Sequence, residues 1–100
     1  MTFPRRVPLL IDGHWVQSES TQFTPVINPA NQEVLSEVPQ ATEAELARAV
    51  AAAQAAFQTW KEVPVPQRAR LMLAYQHLLK QHHDELAEII SQELGKTFED

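Results

Sequence analysis

The segment ELGKTFED, residues 93–100, contains the triplet Gly95-Lys96-Thr97, which has the residue types that end a phosphate-binding P-loop. A P-loop reads G-x-x-x-x-G-K-[ST], because glycine lets the backbone curl until successive N–H groups face the phosphates. Here the first glycine position holds Ile90, and the residues before the triplet have helical spacing where a P-loop needs a strand and a loop. The sequence therefore argues against a nucleotide-binding loop and predicts that Gly95 ends a helix.

A cluster of imidazoles and carboxylates, the side chains that bind metal ions, lies between residues 77 and 85. It contains His77, His82, His83, Asp84 and Glu85. No two of these histidines are four residues apart, as the zinc-binding motif H-E-x-x-H requires. The cluster is more typical of a solvated junction between two helices, so we predict no metal site.

Two arginines and four aromatic residues are the remaining candidates. Arg68 and Arg70 could bind an anion near a helix N-terminus, but an arginine beside Glu62 is more often part of a weak surface ion pair. The aromatic residues could line a ligand site, but their hairpin and helical spacing favours a core role. They are Trp15, Phe57, Trp60 and Tyr75.

The composition narrows the chemistry further. The chain has 100 residues and no cysteine, which excludes a disulfide, a thiolate zinc site and a cysteine nucleophile within it. No Ser-His-Asp arrangement and no glycine-rich loop are visible. The sequence therefore predicts no catalytic, cofactor-binding or metal-binding residue in this chain.

Charge and hydropathy favour a cytoplasmic protein. The net charge is −5, with thirteen acidic and eight basic residues, and no basic stripe suggests nucleic acid as a partner. The apolar run at residues 7–11 is too short for a signal peptide or a membrane span. We expect neither nucleic acid nor a membrane among the partners.

Strands are predicted before Gln40. Asp12-Gly13 lies between apolar residues 9–11 and residues 14–16, and Asp-Gly provides the positive φ angles of a tight type I′ hairpin turn. A second extended pair flanks the turn Asn28-Pro29-Ala30-Asn31. Pro25 and Pro39 indicate that these strands lie at sheet edges.

Helices are predicted after Gln40. Thr42 and Glu45 form a capping box that begins the first helix, and Pro64 and Pro66 separate it from the next. The segment 81–84 predicts a break between the second helix and a third. Apolar stripes run along these helices at three- and four-residue intervals, within residues 46–60 and 71–94.

The order of these segments resembles the amino-terminal portion of the aldehyde dehydrogenase superfamily over nearly the whole chain. The superfamily pattern contains I-(D/N)-G-x-W, N-P-A-T-G-E-V, A-F-x-x-W, an Arg-led helix and E-x-G-K. The matching residues are Ile11-Asp12-Gly13-His14-Trp15, Asn28-Pro29-Ala30, Ala56-Phe57-Gln58-Thr59-Trp60, Arg68 and Glu93-Leu94-Gly95-Lys96. Each match is short, but their common order is specific.

The departures from this pattern resemble one branch of the superfamily. Asn31-Gln32 stands where the common pattern has Thr-Gly. This difference, the stretch 64–80 and the ending 95–100 are similar to the CoA-acylating branch, the methylmalonate-semialdehyde dehydrogenases.

The resemblance implies the fold and the activity. It implies that residues 1–100 are the N-terminal part of an NAD-binding domain of Rossmann type, in an α/β enzyme. In this α+β fragment, two hairpin-like strand pairs precede three helices. The enzyme would use NAD and CoA to oxidise methylmalonate or malonate semialdehyde to propionyl-CoA or acetyl-CoA, with loss of CO₂, and would form a homo-oligomer.

The resemblance also implies that the functional groups of such an enzyme lie outside this chain. They are the nucleophilic cysteine, the cofactor loop, the substrate-binding arginine, and the catalytic and oligomerisation domains. Residues 1–100 would then be structural and inactive alone. Two other classes stay open: a free-standing α+β interaction module, and a regulatory subunit built on a helix pair, each of which would expose an apolar helix stripe to a partner.

Overall fold

A computed structural model describes residues 3–97, and the predicted strands and helices are present in the predicted order. The strands are β1 (Leu9–Ile11), β2 (His14–Val16), β3 (Phe23–Ile27) and β4 (Val34–Pro39), and the helices are α1 (Glu43–Trp60), α2 (Val65–Gln81) and α3 (His83–Leu94). The predicted fold of two strand pairs followed by three helices is confirmed.

The first strand pair is an antiparallel hairpin in which Leu10 lies opposite Trp15. Asp12 and Gly13 connect the strands with φ angles of 52° and 75°. Two successive positive φ angles are the signature of the type I′ turn, whose twist matches the twist of the strands. The prediction from the Asp-Gly pair is confirmed.

The second strand pair is also antiparallel, and β3 and β4 form a two-stranded sheet of their own. Phe23 lies opposite Pro39, and a bulge between Val26 and Ile27 shifts the register near the turn. Both prolines are tolerated because each strand of a two-stranded sheet is an edge strand. An isolated parallel bridge joins Arg6, which precedes β1, to Glu37 of β4.

Gln32, in the connection between β3 and β4, has a φ angle of 62°. This left-handed conformation favours glycine, because the Cβ of other residues crowds the following carbonyl. The superfamily pattern has glycine at this position. In this chain the Gln32 side chain partly compensates, since its Nε2 donates a hydrogen bond of 3.2 Å to the Pro29 carbonyl.

Replacing Gln32 by glycine should stabilise the folded protein slightly. The left-handed conformation costs a non-glycine residue roughly 1–2 kcal/mol, and the extra freedom of an unfolded glycine offsets part of that gain, so we expect about 0.5 kcal/mol. The thermal unfolding midpoint of Gln32→Gly in the full-length protein measures this. Gln32→Ala is the control, because it keeps the unfavourable φ angle and loses the hydrogen bond, so it should unfold at a lower temperature than the parent.

The first helix begins at the predicted capping box. Thr42 Oγ1 accepts a hydrogen bond from the Glu45 backbone N–H at 3.1 Å, and Glu45 Oε1 accepts one from the Thr42 backbone N–H at 2.9 Å. These two bonds satisfy amide groups that the start of a helix leaves unpaired. The helix start predicted at Thr42 is confirmed.

The junctions between the helices also lie where the sequence places them. Pro64 caps α2, which contains Pro66 in its first turn, and α2 ends at Gln81. His82, with φ −103° and ψ 19°, separates α2 from α3. None of the helices in residues 3–97 is both long enough and apolar enough to cross a membrane.

The sequence predicted that the four aromatic residues lie in a core, and within the described residues this prediction is wrong. Trp15 is 71% exposed, and of the described aliphatic and aromatic side chains only that of Pro39 is buried. The Cα radius of gyration is 17.0 Å, against about 13 Å for a compact domain of this length. Periodic spacing identifies the apolar face of a helix but not the element that packs against it. With their apolar faces exposed, residues 3–97 form an open layer.

Candidate functional site

The Gly95-Lys96-Thr97 triplet lies at the C-terminal end of α3. Gly95 has φ 74°, and its N–H donates to the Ser91 carbonyl at 3.0 Å. Phosphates bind at helix N-termini, where N–H groups are free, whereas a C-terminus carries partial negative charge. The prediction that Gly95 ends a helix is confirmed, and the geometry is wrong for a P-loop. The residues that follow the triplet, 98–100, lie outside the described part of the chain.

The histidine cluster is confirmed as an exposed helix junction. His82 Nδ1 lies 3.0 Å from Glu85 Oε2, and His83 Nδ1 lies 3.1 Å from Asp84 Oδ1. Each imidazole has a different carboxylate, and all four side chains are more than half exposed. Between residues 3 and 97 no group of three or more potential ligands is arranged to hold a metal ion.

The arginines of α2 differ from their predicted environment. The surface ion pair expected between Arg68 and Glu62 does not form in the described part of the chain. Arg70 is exposed, whereas the Nε atom of Arg68 is buried and has no hydrogen-bond partner there. Proximity in sequence therefore gave the wrong partner for Arg68.

A groove lies along α2. It has a volume of about 500 Å³, and every lining residue belongs to that one helix. They are Ala69, Met72, Leu73, Tyr75, Gln76 and Leu79. A groove lined by a single helix is an exposed helix face. These side chains suit packing against another element rather than catalysis. The alternative of an aromatic ligand site gains no support from this groove, since Tyr75 alone of the four aromatic residues lines it.

The most strongly constrained polar group is the carboxylate of Glu45, which is only 1% exposed. Besides the Thr42 N–H, it accepts hydrogen bonds from Ser18 Oγ at 2.7 Å and from the Glu19 backbone N–H at 2.8 Å. The Thr42 N–H, then the Glu19 N–H, then the Ser18 hydroxyl lower the pKa of Glu45 from 4.5 to about 2. The side chain therefore stays ionised at neutral pH and joins three parts of the chain.

Sequence reasoning found half of this arrangement. The spacing from Thr42 to Glu45 predicted the capping box, because both residues belong to one helix turn. Ser18 is 27 residues before Glu45, and nothing in its neighbourhood identified it as a partner. A serine in a polar connection satisfies many local patterns, so only the folded chain identifies this contact.

This chain belongs to the aldehyde dehydrogenase family. The family model described as "Aldehyde dehydrogenase family" matches residues 15–100. The two strand pairs and three helices are the corresponding part of that family's fold. The resemblance in the sequence is therefore confirmed.

Similar proteins within the family include several semialdehyde dehydrogenases. The chain is 52% identical over 90 residues to malonate-semialdehyde dehydrogenase 1 of Geobacillus kaustophilus, covering 90% of this chain and 18% of that protein. It is 48% identical over 97 residues to the acylating, mitochondrial methylmalonate-semialdehyde dehydrogenase of Arabidopsis thaliana, covering 97% of this chain and 16% of that protein.

A solved structure matches the whole described layer. It comes from Sinorhizobium meliloti 1021, is assigned as a methylmalonate-semialdehyde dehydrogenase and is complexed with NAD. The TM-score is 0.91 at 37% identity, covering 100% of this chain and 20% of that one. The chain thus spans about a fifth of the length of the relatives that it matches.

Proposed function

We propose that the full-length protein is an NAD-dependent, CoA-acylating malonate- or methylmalonate-semialdehyde dehydrogenase. The observation that carries this proposal is the identity of 52% and 48% to enzymes with these names, over at least nine-tenths of the chain. Identity at this level extends well beyond the short motifs that the whole family shares.

In this proposal residues 1–100 are the N-terminal part of the NAD-binding domain and act as scaffold. A G-x-G-x-x-G loop, the dinucleotide-binding fingerprint of Rossmann folds, needs three glycines at a strand-to-helix turn. The chain has two glycines, and each ends or turns an element: Gly13 in the hairpin and Gly95 after α3. Cofactor and substrate would therefore be held by residues outside this chain.

The stoichiometry of the proposed reaction is complete without any reacting group from residues 3–97. Methylmalonate semialdehyde, CoA and NAD⁺ give propionyl-CoA, CO₂ and NADH, and malonate semialdehyde gives acetyl-CoA in the same way. NAD, when bound, supplies the hydride acceptor. The part assigned to this chain is to support the domain that holds the cofactor, since its polar groups are used in caps and turns.

The exposed apolar helix faces would also suit the free-standing interaction module. Family membership and the greater length of the relatives favour the scaffold role, because the rest of such a fold would cover those faces. A homo-oligomeric state and a cytoplasmic location stay predictions from the sequence.

The full-length protein should form NADH from malonate or methylmalonate semialdehyde only when both NAD and CoA are present. The physical reason is that CoA, rather than water, releases the acyl group in the acylating branch, so without CoA turnover stops at the enzyme-bound thioester. Absorbance of NADH measures the rate, and mass spectrometry identifies acetyl-CoA or propionyl-CoA as the product.

Two controls define the outcome. Residues 1–100 alone should form no NADH under the same conditions, since they lack a cysteine. A simple aldehyde that lacks the carboxylate of these semialdehydes should be a poorer substrate. Turnover that is equally fast without CoA would place the protein among the hydrolytic aldehyde dehydrogenases and contradict the proposal.

A further inference from the structure

The β1–β2 hairpin is attached to the rest of the layer at both of its flanks. Before the hairpin, the Val7 N–H donates to the Glu37 carbonyl of β4 at 2.9 Å. After the hairpin, Ser18 and the Glu19 N–H bind the Glu45 carboxylate of α1. Backbone groups make the first attachment, together with the exposed Arg6–Glu37 ion pair at 3.4 Å, whereas the second depends on the Glu45 carboxylate.

The Glu45 carboxylate is held entirely by neutral donors. No Lys, Arg or His in residues 3–97 lies within ion-pair distance of it. Beside it a crevice of about 160 Å³ separates β1 from α1, and the residues that line it with Glu45 are aliphatic. They are Leu9, Leu10, Ile11, Ala41, Leu46 and Ala49.

The charged residues near the carboxylate are few. The 17–22 connection contributes Glu19, which binds through its backbone N–H. Helix α1 contributes Glu43 and Arg48, both exposed, and β1 contributes none. The ionisation state of Glu45 is therefore governed by its hydrogen bonds.

We propose that Glu45 is an acid-released clasp, whose ionised carboxylate holds the 17–22 connection and the hairpin against α1 and whose protonation frees them. The backbone N–H groups of Thr42 and Glu19 can only donate. A proton on either oxygen neutralises the carboxylate and makes it a weaker acceptor, so the hydrogen bonds from Ser18 and from the Glu19 N–H weaken. The remaining contact between the hairpin and α1 is the small apolar one around the crevice.

The direction of the pH effect follows from the carboxylate. The hydrogen bonds lower the pKa of Glu45 to about 2 in the folded chain, below its value of 4.5 in an unfolded one. A lowered pKa means that the clasp contributes its full stability above about 4.5 and loses it as pH falls toward about 2. Neutralising the side chain by mutation should reproduce the acid-released state at neutral pH.

Hydrogen exchange of the full-length protein with the substitution Glu45→Gln tests the clasp at neutral pH. Glutamine keeps the shape of the side chain but places an N–H₂ group against donors. We expect the amides of residues 9–22 to exchange about tenfold faster or more, as befits the loss of a hydrogen bond to a charged group, with residues 65–81 unchanged. Glu43→Gln is the matched control, because Glu43 is an exposed carboxylate in the same helix turn.

The outcome decides the proposal in either direction. Faster exchange confined to residues 9–22 in Glu45→Gln, and absent in Glu43→Gln, supports the clasp. Unchanged exchange, or an equal rise along the whole chain, overturns it. Should Glu45→Gln fail to fold, the same comparison with Ser18→Ala, which removes only one hydroxyl donor, applies the same two criteria.

Discussion

Residues 1–100 expressed on their own will associate into dimers or larger oligomers. Leu79 is 41% exposed and Phe57 is 56% exposed, and of the aliphatic and aromatic side chains in the described residues only that of Pro39 is buried. At about 25 cal/mol per Å², a few hundred Å² of uncovered apolar surface forfeits several kcal/mol, which is comparable to the stability of a small domain. Contact between copies is the available cover when the rest of the fold is absent.

Sedimentation velocity over a range of concentrations measures this association. We expect it to involve Phe57, Trp60, Leu79, Ile90 and their neighbours. Leu79→Glu should therefore shift the population toward monomer. Gln81→Glu adds the same charge at the exposed end of the same helix and should have little effect. A parent chain that stays monomeric at high concentration and unfolds cooperatively would refute the prediction.

Local structure could be predicted from the sequence because its causes are local. Asp12-Gly13 fixes a turn through its own φ angles, and Thr42 with Glu45 caps a helix within one turn. Pro64 likewise begins a helix through its own backbone restriction. These elements follow from residues that are adjacent in sequence or one helix turn apart, so no knowledge of the folded neighbours was needed.

The environment of a side chain could not be predicted in the same way. The stripe containing Phe57 and Trp60 was correctly identified as apolar, but in the described residues these two side chains are 56% and 40% exposed. The third partner of Glu45 is Ser18, from a connection whose sequence has no distinctive pattern. Arg68 was assigned an ion pair by its charge, although its Nε is enclosed. Ser18 is 27 residues from Glu45, and the exposure of the stripe and of the Arg68 Nε depends on the folded chain rather than on neighbouring residues.

The sequence of this chain contains no active-site motif, and the reason is not the distance between contacting residues. The groups that do chemistry in an aldehyde dehydrogenase need not lie in every segment of its fold. Residue spacing predicted a helix end at Gly95-Lys96-Thr97 and a solvated helix junction at the histidines. The folded chain has both features. Family identity came from the order of several short segments, each of which alone would have carried little weight.

Replacing Gly95 by alanine will destabilise the full-length protein more than the same change at Gly13. Both glycines are left-handed, with φ angles of 74° and 75°, so the backbone cost is matched. A Cβ on Gly13 meets nothing within 4 Å, whereas a Cβ on Gly95 would lie 3.2 Å from Pro29 Cγ. We expect roughly 1 kcal/mol for Gly13→Ala and roughly 2 kcal/mol or more for Gly95→Ala.

Gly95 ends α3 and also allows the close approach of this helix end to Pro29. It places the C-terminus of α3 directly against the turn between β3 and β4, so a side chain there would push the helix away from the strand pair. If this is the cause, Pro29→Ala should recover part of the stability lost in Gly95→Ala and none of that lost in Gly13→Ala. Thermal unfolding of the single and double variants gives the coupling between the two positions. Strictly additive effects of Gly95→Ala and Pro29→Ala would show that the backbone angle alone explains why glycine occupies this position.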